Sequence, residues 1–155
     1  MSRQVLYGGI LLSRPITDTG FFIIAGIREG GKCPLVDWIE ETTLKSKSEK
    51  SGIKNKNNDY KNLYNIRKYF ERLSTVGIWK NETQIKHLKG NIYELKVKET
   101  GLRIFFSFDP KNRKVIILTH SFIKKKQRTD PVEIEIAQKI LNEFLKNRMD
   151  EDGEI

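Results

Sequence analysis

Residues 87–129 read HLKGNIYELKVKETGLRIFFSFDPKNRKVIILTHSFIKKKQRT, and this stretch decides the fold. It divides into three apolar strands joined by two short turns, with polar and cationic side chains recurring at a period of two before a basic cluster. Alternation at that period places one set of side chains on each face of a pleated sheet. The pattern predicts a sheet with one apolar face and one basic face, and the basic face is where function is expected.

Turn chemistry sets the expected register. In KETGLR, a two-residue loop at Thr100 and Gly101 pairs Glu99 with Leu102, glycine being suited to a tight hairpin. Stepping outward puts Lys98 opposite Arg103, Lys96 opposite Phe105 and Glu94 opposite Ser107, all on one face. The other face collects Tyr93, Leu95, Val97, Ile104, Phe106 and Phe108. A one-residue slip buries the charges instead, so the alternation selects against it. The next hairpin turns through DPKNRK, where Asp109 and Pro110 favour a turn. A midpoint between Lys111 and Asn112 sets Arg103 opposite His120 and Phe105 opposite Leu118. Lys96, Arg103, Phe105 and His120 then share a face that continues through Phe122 toward Lys124, Lys125 and Lys126. Cations and aromatic rings at one sheet end suit RNA, whose unpaired bases stack on rings while its phosphates bind cations. Plainer readings stand beside this one: a packed His120, a cross-strand ion pair of Arg103 with Glu94, and solvated lysines.

Outside this stretch, GFFIIAGIR at 20–28 is an apolar run that fits a buried strand. The preceding QVLYGGILLS, within residues 1–19, is either a shorter strand or an ordered arm. GGKCPLVDWIEETTL places Pro34 in a first helical turn, with Leu35, Trp38 and Ile39 at helical spacing. Residues 45–58, polar and almost without apolar anchors, have the composition of an exposed loop. A second helix is expected from Asp59 as cap, carrying Leu63, Ile66, Phe70 and Leu73 as its stripe and ending at Gly77. Asp130, Pro131 and Glu133 announce a last helix with Ile134, Ala137, Ile140, Leu141 and Phe144 on one face. Residues 148–155 read as a frayed acidic tail. The sum is an α+β fold: a small antiparallel or mixed sheet, N-terminal helices on one face and a C-terminal helix, organised as a single domain over residues 1–155.

Composition narrows the partners. Residues 80–128 carry 13 Lys/Arg against 4 Asp/Glu, whereas residues 129–155 carry 3 against 8, so the basic charge is concentrated in the strand region. That concentration suits a polyanion, because Lys and Arg that neutralise phosphates release counterions. The single Cys33, with His87 and His120, gives no zinc-like spacing, so no metal and no cofactor are expected. No apolar run is long enough for a membrane, and MSRQVLYGGILLSRP lacks the order of a signal peptide, which predicts a cytoplasmic protein.

HLKGNIYEL, GLRIFFSF and ILTHSFIKKKQRTDPVEIEIA together resemble the RelE/ParE toxin superfamily, and within it the HigB-like, phage-derived branch. The resemblance is good over residues 85–145 and weaker over 20–75. Two positions depart from it: Lys96 stands for the family's first-strand arginine, and Ser121 for the glycine between histidine and phenylalanine. Lysine keeps the charge but loses the planar fork that grips a phosphate bidentately. The resemblance implies a type II toxin that cleaves mRNA on the ribosome by attack of a ribose 2′-OH, paired with a DNA-binding antitoxin. On that reading Arg103 stabilises the phosphorane with Lys96 and Lys125 assisting, and His120 protonates the leaving oxygen. Lys89 is a candidate base or phosphate contact. Phe105, Phe122, Lys98, Lys124, Lys126 and Arg128 are the candidate RNA contacts. Two other functions remain open: a ParE-like gyrase inhibitor, and a phage nucleic-acid-binding regulator without catalysis.

Overall fold

The computed structural model describes residues 3–48, 52–125 and 131–151. The strands are β1 (Val5–Leu6), β2 (Gly9–Ser13), β3 (Phe22–Ala25), β4 (Ile85–Lys89), β5 (Ile92–Val97), β6 (Leu102–Phe108) and β7 (Val115–Ile123). Among the described residues they form one seven-stranded sheet in the order β1-β2-β3-β7-β6-β5-β4. Every pairing is antiparallel except β3 with β7, which makes the sheet mixed. The helices are α1 (Pro34–Lys47), α2 (Ile53–Thr75) and α3 (Pro131–Glu151). None of the described helices is long and apolar enough to cross a membrane.

Both sheet faces are covered. Leu35 and Val36 of α1 and Ile66, Tyr69 and Leu73 of α2 pack with Ile23, Leu95, Val97, Ile104, Phe106, Ile116 and Leu118. On the opposite face Ala137, Leu141 and Phe144 of α3 pack with Ile24, Ile92, Phe105, Val115 and Ile117. The expectation of one apolar and one wholly basic face is therefore corrected, because the near-continuous apolar runs of β3 and β7 serve a sheet buried on both sides. What remains basic is one end of the α3 face. Glu133, in the first turn of α3, meets His120, while Arg148 in its last meets Asp109 past the far end of β6. The end holding Lys96, Arg103 and Phe122 thus extends beyond the helix's first turn.

Several sequence expectations change. The three strands of 87–129 are four, since IKHLK forms β4 and turns back through Gly90 at φ 56°. The QVLYGGILLS segment forms a β1–β2 hairpin, with Tyr7 and Gly8 both at positive φ as a two-residue primed turn requires. Of the expected 45–58 loop, α1 takes residues to Lys47 and α2 begins at Ile53, so Asp59 is interior rather than a cap. Lys and Asn can extend a helix on its solvent side without an apolar stripe, so polarity alone misplaced that boundary. Gly77, φ 81°, follows the end of α2 as expected. Of the expected frayed tail at 148–155, residues 148–151 belong to α3 with Arg148 buried, and 152–155 lie outside the described residues. The expected cap Asp130 lies outside the described residues, and Glu133 spends its carboxylate on His120.

Candidate functional site

The β5–β6 connection is a four-residue loop, Lys98 to Gly101, instead of the expected two. Gly101, at φ 82°, donates its N–H to the Val97 carbonyl and accepts the N–H of Lys124, while the Thr100 hydroxyl donates to Asn62 of α2. These tertiary partners shift the register by two residues, so Lys96 lies opposite Arg103 and Glu94 opposite Phe105. An even shift preserves which side chain faces which way. The predicted membership of each β5–β6 face therefore holds although the predicted partners do not.

The β6–β7 register is also corrected. Ile104 pairs with Ser121 and Phe106 with Leu118, so Thr119 and His120 together oppose Phe105 alone. This bulge changes the phase of β7: Leu118 packs on the α1/α2 side, while Arg103 comes opposite Phe122. Its effect is to put both His120 and Phe122 on the α3 side, where their rings stack with centroids 5.7 Å apart. The Phe105 ring meets each edge-on, at 5.5 and 5.1 Å. Phe105 itself is fully buried, so no base can stack on it; it is a core residue that supports the other two rings. Phe122 is half-buried and keeps a partly open ring.

A cationic cluster surrounds one acid at this end. Glu94 is buried, and its Oε2 lies 3.7 Å from Arg103 Nε, close enough for an ion pair and too far for a hydrogen bond. Among the described residues neither atom has a hydrogen-bond partner. The Lys96 ammonium donates to the Glu82 carbonyl at 2.8 Å. Desolvation holds the Lys96 pKa below its ordinary 10.5, with Lys86, Arg103 and Lys124 pushing the same way and Glu94 opposing. Tyr69 of α2 reaches through from the opposite face and donates its hydroxyl to the Lys96 carbonyl, fixing the strand that carries the cluster.

His120 is nearly buried, 7% exposed, and burial lowers its pKa below 6.5 against the opposing pull of Glu133. Its Nε2 is 2.7 Å from Glu133 Oε2 and its Nδ1 is 3.2 Å from the Thr119 hydroxyl. For the neutral ring the contact with the carboxylate assigns the proton to Nε2, donating to Glu133, while the Thr119 hydroxyl donates to the Phe105 carbonyl at 3.2 Å.

The structure thus brings together Lys96, Arg103, His120, Phe122 and Lys124, with Lys98 and Lys125 exposed nearby on the adjoining loop and strand end. Lys89 is not among them. It lies at the β4–β5 turn, paired with Ile92, about 13 Å along β5 from Lys96 at the rise of an extended strand. Lys126 and Arg128 lie outside the described residues. Sequence reading missed Lys86 and Tyr69. Lys86 was legible only through its pairing with Glu94 across a strand that was not expected; Tyr69 stands at i+3 from Ile66 and four residues before Leu73, and that helical spacing was its signal.

The family described as phage derived protein Gp49-like (DUF891) matches residues 56–142, which span α2, strands β4 to β7 and the first half of α3, and so hold the whole cluster. No curated protein matches the chain.

Proposed function

The chain belongs to the Gp49-like family of phage-derived proteins, a RelE/toxin-like family, and from that premise we propose that it is a HigB-like type II toxin that cleaves mRNA on the ribosome. The observation that carries this reading is the cross-strand pair Lys96–Arg103. Like charges directly opposite on a sheet destabilise it, and here Lys86 and Lys124 add to the repulsion, with buried Glu94 the counter-charge. A sheet end that concentrates cations against its own stability is a site for an external anion.

In the proposed reaction the ribose 2′-hydroxyl gives its proton to solvent as its oxygen attacks the adjacent phosphorus. The new P–O2′ bond forms as the P–O5′ bond breaks, leaving a cyclic phosphate and a 5′-hydroxyl. Arg103 and Lys96 stabilise the equatorial oxygens as charge develops, an effect strongest for groups already held in place. Lys125 and Lys124 assist on the phosphate backbone, Lys98 contacts flanking phosphates, and Phe122 stacks a base beside the scissile bond. The imidazolium form of His120 delivers its Nε2 proton to the 5′-oxygen when substrate takes the place of Glu133, and returns to the neutral ring. A cognate DNA-binding antitoxin neutralises the toxin by covering this basic end.

A second reading has a specific observation in its favour. Arg103 is ion-paired to a buried acid and His120 is hydrogen-bonded to Glu133, an arrangement that suits binding of a nucleic acid without cleavage. Cell-free translation with 5′-end mapping of the mRNA separates the two. Cleavage within translated messages, reduced at least about a hundredfold by Arg103→Ala, is the expected result for loss of a preorganised charge-stabilising donor. Intact mRNA with RNA affinity retained would select the binding protein, and intact mRNA with poisoned gyrase the inhibitor.

A further inference from the structure

The exposed face of α2 carries a feature that its packing does not require. Ile66, Tyr69 and Leu73 point into the core, and the opposite side presents Tyr60 and Tyr64, 54% and 53% exposed. These rings are one turn apart, about 6 Å along the axis at helical rise. The Lys68 ammonium sits 5.6 Å from the Tyr64 centroid, a cation over a ring. Lys61, Arg67 and Arg72 are exposed to either side of the rings, Arg72 over Trp79, and over Ile53–Thr75 the helix carries 6 Lys/Arg against 2 Asp/Glu. A solvated helix face has no use for two open tyrosines, and an apolar docking face would not be set among cations.

The stripe is continuous with the cationic end of the sheet. Lys61 pairs with Glu99 at 3.6 Å and Asn62 bonds Thr100, so the middle of α2 abuts the β5–β6 loop that carries Lys98. The same loop accepts Lys124 through Gly101. Cations therefore run from Arg103 and Lys96, past Lys98 on the β5–β6 loop, to Lys61 of α2.

We infer that the Tyr60–Tyr64–Lys68 stripe is a second RNA contact, on which unpaired bases stack while the flanking cations hold the backbone, in continuity with the site on the sheet. RNA is favoured over a protein partner because stacking on rings tolerates any base while the surrounding charge selects a polyanion. The inference rests on the reading of the chain as an RNA-directed protein, but not on cleavage.

Fluorescence anisotropy with a labelled 20-nucleotide unstructured RNA tests it on the full chain. The double variant Tyr60→Ala/Tyr64→Ala should weaken binding about tenfold or more, the loss expected for one or two base stacks. Tyr60→Phe/Tyr64→Phe, which keeps both rings, should bind within about twofold of the parent. Both sites are exposed, so unchanged thermal melting is expected and separates lost contact from lost fold. Unchanged RNA affinity in the alanine variant overturns the inference, as does an equal loss in the phenylalanine variant. Loss of a co-purifying protein with RNA affinity intact also overturns it and assigns the stripe to that protein. Because binding is read without translation, a chain that binds through the stripe yet leaves mRNA intact would sink the nuclease reading alone.

Discussion

At the scale of the residue, His120 shows how environment decides what a side chain can do. Its ring is enclosed by Phe105, Phe122 and Thr119, and the charged groups that act on it are Glu133, which favours the imidazolium, and Arg28, which disfavours it. Burial dominates and the folded pKa lies below 6.5. The unfolded chain therefore binds more protons between the folded value and 6.5, so this contribution to stability is complete above 6.5 and is lost as pH falls through the folded value. Thermal melts from about pH 7.5 to about pH 5 should show the parent losing more stability than His120→Gln. Parallel falls in the two proteins would place the acid sensitivity elsewhere. Arg103 is the complementary case, a cation whose position depends on buried Glu94, which is why a single carboxylate bears on the whole cluster.

Elements are set against each other by close backbone approach. Gly20 lies against the C-terminal turn of α2, where a Cβ built on it would sit 1.7 Å from the Ser74 carbonyl oxygen. The neighbouring backbone is tied down, since Phe21 N–H donates to Leu73 and Ile16 N–H to Ser74. Neither side can yield without breaking these bonds, so Gly20→Ala should cost about 3 kcal/mol or more, above the usual range for a point substitution. Urea unfolding checks it, and a cost under about 1 kcal/mol would mean that β3 and α2 separate readily. The bulge in β7 is the other element-scale device. Its extra residue brings His120 and Phe122 round to the side of Phe105 and α3.

Across the molecule, the α3 layer is locked at both ends. Glu133 holds His120 at one end, and at the other Arg148 makes two hydrogen bonds to Asp109, 2.6 and 3.0 Å, with both groups buried. Removing one member leaves the other buried and uncompensated, so Asp109→Ala should destabilise by about 3–5 kcal/mol. The double variant Asp109→Ala/Arg148→Met should recover much of that loss, because a buried pair replaced by apolar groups is often close to neutral. Chemical denaturation of the three proteins measures the coupling, and additive losses would show that the pair does not act as a unit. Among the described residues, the α3 layer also limits the site by covering the sheet face over Phe105, Val115 and Ile117.

Sequence alone determined the α+β class, the last helix beginning at Pro131, the apolar set of the α1/α2 face, and the sharing of one face by Lys96 and Arg103. These follow from periodicity, which survives any register shift of two. Tertiary structure decided the rest. It buried Phe105 beneath α3, moved Lys89 to the wrong end of β5, placed Lys96 opposite Arg103 and inserted a bulge before His120. The reason is that alternation reports which side of a strand a residue takes, whereas loop length, bulges and the cover over each face depend on partners distant in the chain. Asn62 on Thr100, Glu133 on His120 and Tyr69 on Lys96 are such partners, and no local pattern announces them.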